Sequence, residues 1–350
     1  MSNILKKFSK CNTLIVVVCI ILCLLAHIFN FINMNINTDL FSSDEFNKYF
    51  KLLKDFCWLE EKAKPLFILI FLTSILILGL KKYFKNDTIR ILFVNTFKNN
   101  NSKIKTRYIH EDIYSKDISN EIEVLSNDYK KYNTIVKMID DISREFMEVK
   151  GYNSFAYGGI MHTPLILRLG YQLGDETYFK LLHKKRDGHY FNLLKDNKTY
   201  IGNYPQLKVE KELTESNELI VGISTTFDIT KEQLRKFDIE KNNYIKFKTT
   251  AMGFDVIESE EQINHYKKII FDSIRKICRE KNIKTIHLCI SSSVAFTFAL
   301  GQGFSKNYDP NIIIYNYENQ EYAWGLKLFE KSEDSIIIPQ NALEEEVKSN

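Results

Sequence analysis

The chain has 350 residues, 45% of them hydrophobic, with 13 Gly and 5 Pro. This excludes a mainly disordered polypeptide and allows one large or two small domains with sizeable cores. The formal charge of +4 is unevenly placed: residues 1–85 carry 11 Lys, no Arg and 6 acids, and the remainder is close to neutral. A near-neutral remainder argues against a basic face for long nucleic acid, whereas a small anionic ligand needs only a few local donors and stays open.

In chain order, the first element is an apolar run, Asn12–Ile32, with no charged residue; a second, Pro65–Leu80, is followed by Lys81, Lys82 and Tyr83. Their length and composition predict two membrane-spanning helices, over about 12–32 and 65–83. A cleaved signal peptide is the rival reading for the first, but bulky Ile28, Phe29 and Phe31 stand where a small-residue cleavage site is needed. Lys6, Lys7 and Lys10 before the first run and Lys81, Lys82 and Lys85 after the second place both termini inside. His27, Asn30 and Asn33 fall within the last turns of the first run, where interfacial water explains them better than a functional role does. Six cysteines show no CxxC spacing, so neither a disulfide framework nor a zinc site is indicated.

Residues 86–149 read as a mainly helical connector. "RILFVNTF" suits a short strand, and Ile122, Leu125, Tyr129, Ile135, Ile139, Ile142 and Phe146 recur at helical spacing. From 150 to 340 strands and helices alternate: "FAYGGI", a helix from Thr163 and Pro164, "YFKLLH", "ELIVGIS", a helix over "SEEQINHYKKIIFDSIRKICREK", "IKTIHLCI", a helix over "VAFTFALGQG", and "NIIIYNYE". The alternation predicts a mostly parallel α/β sheet with helices on both faces, and ligands in such sheets bind beyond the carboxyl ends of the strands.

Ser291, Ser292 and Ser293 stand where a buried strand hands over to a helix. There free backbone N–H groups, the positive end of the helix dipole and hydroxyl donors converge on any anion. One serine meets the need of an N-cap and three exceed it, so capping and ligand contact both stand as readings. Ser224, Thr225 and Thr226 repeat the arrangement after another apolar strand. Gly158 and Gly159 would let a backbone approach a ligand, and His162 adds a polar contact, although Gly-Gly pairs and single histidines also serve structure alone. Lys185 and Arg186 follow a strand as candidate phosphate partners. Tyr317 and Trp324 are candidate base-stacking groups, with packing as the alternative. Gly301-x-Gly303 ends a helix instead of opening one, and no P-loop, G-x-S-x-G or H-E-x-x-H pattern occurs, so catalysis has little support. Glu260–Glu261 and Asp140–Asp141 read as solvated helix faces.

The order "YGGIMHTPLILRLGYQLGD", then "IHLCISSSVAFTFALGQGF", then "NIIIYNYENQEYAWGLKL" resembles a SAVED domain, a fusion of two CARF-like, Rossmann-type halves. The usual small residues before the last helix often include a proline, and Ser291–Ser293 depart from that. The resemblance implies an α/β fold of two such halves preceded by two transmembrane helices. It also implies binding of a cyclic oligonucleotide, expected to be a cyclic trinucleotide, made by a cognate CD-NTase during phage infection. With the two-span module the chain is similar to the membrane effectors of CBASS defence. That implies a non-enzymatic protein of the bacterial inner membrane with its SAVED domain cytoplasmic. Ligand-induced homo-oligomers would gather the spans, disrupt the lipid bilayer and cause abortive infection. No metal or other cofactor is expected. The ligand contacts expected are Gly159, His162, Lys185, Arg186, Ser224, Thr225, Ser291, Ser292, Tyr317 and Trp324. A membrane-tethered hydrolase resembling the ring nucleases, and a passive anchored sensor with inert spans, are the competing readings.

Overall fold

The computed structural model describes residues 72–73, 88–98, 103–106, 108, 110–125, 131–149, 151–152, 154–186, 188, 190–195 and 204–337. The two expected spans lie outside these residues, apart from Leu72 and Thr73, which are helical. No helix among the described residues is long and apolar enough to cross a membrane. The chain divides between Asp87 and Thr88, and every described strand belongs to the second unit.

Two sheets form instead of one. The first contains β1 (Thr88–Asn95), β2 (Lys103–Lys105), β3 (His110–Asp117), β4 (Phe155–Ile160), β5 (Phe179–Lys184) and β6 (Tyr190–Leu193), in the order β2-β6-β5-β4-β1-β3. Here β1 is parallel to β3 and β4, and β4 to β5. The second contains β7 (Leu207–Glu212), β8 (Glu218–Ser224), β9 (Asn243–Thr249), β10 (Thr285–Ser291), β11 (Asn311–Glu318), β12 (Glu321–Lys327) and β13 (Ile336–Ile337), in the order β13-β12-β11-β10-β8-β9-β7. Its centre, β9-β8-β10-β11, is parallel, and antiparallel strands close both edges.

The connecting helices are α1 (Ser119–Leu125), α2 (Tyr132–Glu148), α3 (Thr163–Leu173), α4 (Glu260–Glu280) and α5 (Val294–Gly303). Residues 88–149 are therefore no helical connector: they supply β1, which lies between β3 and β4 in the first sheet, as well as the expected helix α2. Alternation with period two sorts each central strand between two cores. On β1, Leu92 and Val94 face the shared core, and Ile89, Ile91 and Phe93 face the opposite way. On β11, Ile312 and Ile314 face the shared core, and Ile313 and Tyr315 face outward. The outer face of the second sheet is covered by Ile229, Leu234, Phe237 and Ile239, from a β8–β9 crossover that contains no α-helix and only the short 3₁₀ turn Arg235–Phe237. The helical stripe Ile263, Tyr266, Ile270, Ile274 and Ile277 of α4 is buried as its spacing predicts, each such side chain contributing about 1.5–3 kcal/mol.

Helices α3 and α5 join the halves. A Cβ at Gly170 would lie 2.3 Å from the Phe298 carbonyl oxygen, and one at Gly301 would lie 2.3 Å from that of Leu167. Two backbones touch there because neither glycine carries a side chain. From this joint α5 reaches β4, where Phe298 stacks on Tyr157 with centroids 3.9 Å apart.

Two acids expected on solvated faces are structural. Asp140 holds buried Arg168 in a two-pronged pair (2.9 and 2.8 Å), and the same guanidinium donates to the carbonyls of Leu328 and Glu330. Glu260 is 5% exposed and accepts from the Tyr178 hydroxyl. In each case a tertiary partner, invisible to helical spacing, takes the carboxylate out of water.

Candidate functional site at the strand ends

β8 and β10 end side by side, with Ser224 opposite Ser291. The Ser291 carbonyl accepts the N–H groups of Thr225 (2.9 Å) and Thr226 (3.0 Å), and its Oγ accepts the N–H of Phe227 (3.0 Å). Ser292 Oγ and Thr225 Oγ1 share a hydrogen bond of 2.7 Å. Ser293 is the N-cap of α5, its hydroxyl accepting from the Phe296 N–H. The three serines thus divide three tasks: anchoring the β8 loop, pairing with Thr225, and capping. Ser291 and Ser292 remain half-buried at the amino end of α5, where first-turn amides and the helix dipole favour an anion. Ser224 and Thr225 are fully buried, and the Ser224 hydroxyl is committed to the Ile229 N–H. They shape this strand end from beneath instead of facing a ligand.

Charge is supplied from β9. Lys246 (2.6 Å) and Lys248 (2.7 Å) both pair with Asp228 in the loop after β8. Burial pushes the Asp228 carboxyl up, but hydrogen bonds and charge from the two lysines outweigh it and hold the group below its usual value. Both lysines are committed to this carboxylate, and Lys246 also lies opposite Glu210 of β7.

The first half ends in the same backbone pattern. Asn95 of β1 lies opposite Ile160 of β4, and the Thr96 N–H bonds the Ile160 carbonyl at 2.9 Å, as Thr225 bonds Ser291. His162 then caps α3 where Ser293 caps α5, but with no side-chain cap bond. Thr163 is the first residue inside α3, and Pro164 stands in its first turn. Thr96 Oγ1 accepts the His162 N–H (3.0 Å) and meets Nδ1 of the same residue at 2.9 Å. The ring stacks on Phe97 at 4.4 Å, and Phe97 is 45% exposed. Burial lowers the His162 pKa to about 4, so the imidazole is neutral at pH 7.

Lys185 and Arg186 lie, exposed, on the turn after β5. The Arg186 guanidinium sits 5.0 Å over the ring of Phe254, in the loop after β9, and His183 of β5 meets Asp255 at 3.2 Å. The carboxyl ends of both sheets therefore converge, bringing Arg186 toward the serine cluster.

Two expected contacts, Gly159 and Trp324, are turned inward, and a third, Tyr317, stays exposed. Gly159 has φ +136°, and a Cβ there would lie 2.0 Å from the Val94 carbonyl oxygen, so its close approach is to β1 and not to a ligand. Trp324 is fully buried with Tyr132 against it, which removes it from any base. Tyr317 is 43% exposed at the end of β11, and its hydroxyl accepts from Gln233 (2.7 Å). Sequence reasoning missed Thr96, Phe97, Phe227 and Phe254. The parallel between "VNTF" and "ISTTF" at the ends of β1 and β8 was the signal for the first.

Two α/β sheets, each with a strand end beside a helix N-terminus, define a two-sheet α/β domain. The family model of the SAVED domain, "SMODS-associated and fused to various effectors sensor domain", matches residues 138–328, and the chain belongs to that family. No curated protein matches. Among solved structures, the Acinetobacter baumannii Cap4 SAVED/CARF-domain receptor with the cyclic trinucleotide 2'3'3'-cAAA is similar at 16% identity and TM-score 0.49, over 78% of this chain and 59% of that one. The Moraxella osloensis Cap4 receptor is similar at 17% identity and TM-score 0.44, over 72% and 53%. This chain thus spans less than two thirds of either.

Proposed function

We propose that the chain is a membrane-anchored receptor for a cyclic oligonucleotide, acting without catalysis as an effector of CBASS anti-phage defence. The observation that carries this reading is the Ser291–Ser292 pair, supported from beneath by Thr225, at the amino end of α5, set beside the Lys246–Asp228–Lys248 group, in a domain of the SAVED family. A cyclic trinucleotide carries about three negative charges, which helix-terminal amides, hydroxyls and a few cations can meet without a basic domain surface. Lys248 and Lys185 are within the same converging edge, and His162 with Phe97 offers a neutral, flat platform on the first half.

On this reading the segments 12–32 and 65–83 span the bacterial inner membrane, and the SAVED domain stays in the cytoplasm. A cognate CD-NTase supplies the ligand. Ligand bound between copies builds a homo-oligomer, and the resulting local concentration assembles spans whose own affinity is weak. The gathered spans disrupt the bilayer and cause abortive infection.

The test is titration of the full-length chain in detergent with cyclic di-, tri- and tetranucleotides, reading mass in solution. Growth of assemblies with one ligand is the expected result. Absence of binding and of assembly across the panel overturns the reading, and turnover of a ligand moves the protein to the tethered-hydrolase class.

A further inference from the structure

Phe227 is 61% exposed and Phe254 is 41% exposed, an arrangement that costs hydration free energy unless something covers it. Their rings meet at 89° with centroids 5.2 Å apart, forming a corner in which a flat group lying on one ring is bounded by the other. Both rings are held in place by their backbones. The Phe227 N–H bonds Ser291 Oγ (3.0 Å), and the neighbouring Gly253 N–H bonds the Thr225 carbonyl (3.0 Å). Arg186 lies over Phe254 from the first sheet's β5–β6 turn, so the corner is assembled from both halves. None of these three side chains is needed to close either core.

We propose that the Phe227–Phe254 corner, flanked by Arg186, is a stacking slot for one nucleobase of the ligand and favours purine over pyrimidine. This rests on the receptor reading above. An aromatic face accepts any base, but a fused two-ring base covers more of the corner than a single ring does. Arg186 contributes a planar cation next to the stacked base, positioned to pair with the phosphate that follows it. The serine end is suited to hold the backbone, and the corner would select the base.

The experiment uses the full-length chain with cyclic tri-adenylate, its uridine counterpart, and a cyclic tri-adenylate carrying one 2-aminopurine, whose emission is quenched on stacking. Phe227→Ala and Phe254→Ala are compared with Ser292→Ala, and melting curves confirm that each variant folds. The phenylalanine variants are expected to weaken the adenine ring by about 5- to 150-fold, to affect the uridine ring less, and to lose the quenching. Ser292→Ala is expected to weaken both rings alike and keep the quenching. If the wild-type chain binds and the phenylalanine variants bind equally well, the slot is overturned while the receptor reading stands. If the wild-type chain binds neither these rings nor any member of the cyclic di-, tri- and tetranucleotide panel, the receptor reading fails and takes the slot with it; if it binds a pyrimidine ring and not the adenine ring, the slot alone is overturned.

Discussion

Beyond β4 the chain turns into α3 through Met161 and His162, and beyond β10 it turns into α5 through Ser292 and Ser293. Register matches at the two turns, with Thr96 and Thr225 making the same backbone bond to the neighbouring strand end. Chemistry does not match. One end holds a neutral histidine stacked on a phenylalanine, and the other holds a hydroxyl cluster beside two lysines. The comparison separates what the fold needs from what a ligand would read. The strand-end backbone bond and the helical glycine recur in both halves, while the side chains facing the converging edge differ.

The largest expected effect tests the shared part. Gly170→Val and Gly301→Val each drive a side chain into a carbonyl of the facing helix, and each is expected to destabilise by about 3 kcal/mol in denaturant unfolding. A loss confined to one of them would break the equivalence of the two helices.

The next effect tests the divergent part. Ser292→Ala is expected to weaken cyclic-oligonucleotide binding about tenfold in calorimetry, roughly the worth of one hydrogen bond to a charged group. Thr96→Val, in the first half, should cost less, because its hydroxyl serves His162. Equal losses would mean that both ends contact phosphate.

Capping provides a smaller contrast. Ser293→Ala removes a side-chain cap from α5 and should cost about 1 kcal/mol of stability. His162→Ala removes no cap bond from α3, so any cost there comes from the lost Thr96 hydrogen bond and the lost packing on Phe97.

A separate contrast lies in pH dependence. The His162 pKa falls from its ordinary 6.5 to about 4 on folding. Between those values the unfolded chain therefore binds the extra proton, and stability is lost as pH falls through that window. His162→Gln is expected to flatten the stability curve from pH 6.5 to 4 and leave it unchanged above pH 7. An unaltered slope would show that the ring is already solvated.

In the second half β8, β10, β11 and α4 were legible in the sequence, because those strands are continuous apolar runs and α4 carries a clean helical stripe, whereas β7 and β9 are interrupted by lysines and glutamates and were not. The first half was harder to read. The β1 pattern is separated from β4 by a polar stretch and two helices, so a strand bordered on both sides by parallel partners looked like part of a connector. Aromatics resisted prediction for a different reason: Trp324 and Tyr317 sit on adjacent strands, and only the tertiary layers decide that one is sealed and the other open. Phe227 and Phe254 have no periodicity to betray them, since both lie in irregular segments whose placement depends on two backbone bonds.

The position of β1 has a mechanical consequence. Thr88, where the chain enters the domain, begins a strand paired with β3 from Thr88 to Asn95 and with β4 from Arg90 to Asn95. A pull on the chain at that point loads both ladders in shear, so their hydrogen bonds must yield together instead of peeling one at a time. Tension in the N-terminal segment would therefore be delivered to the domain as a rigid body before it unravelled any strand.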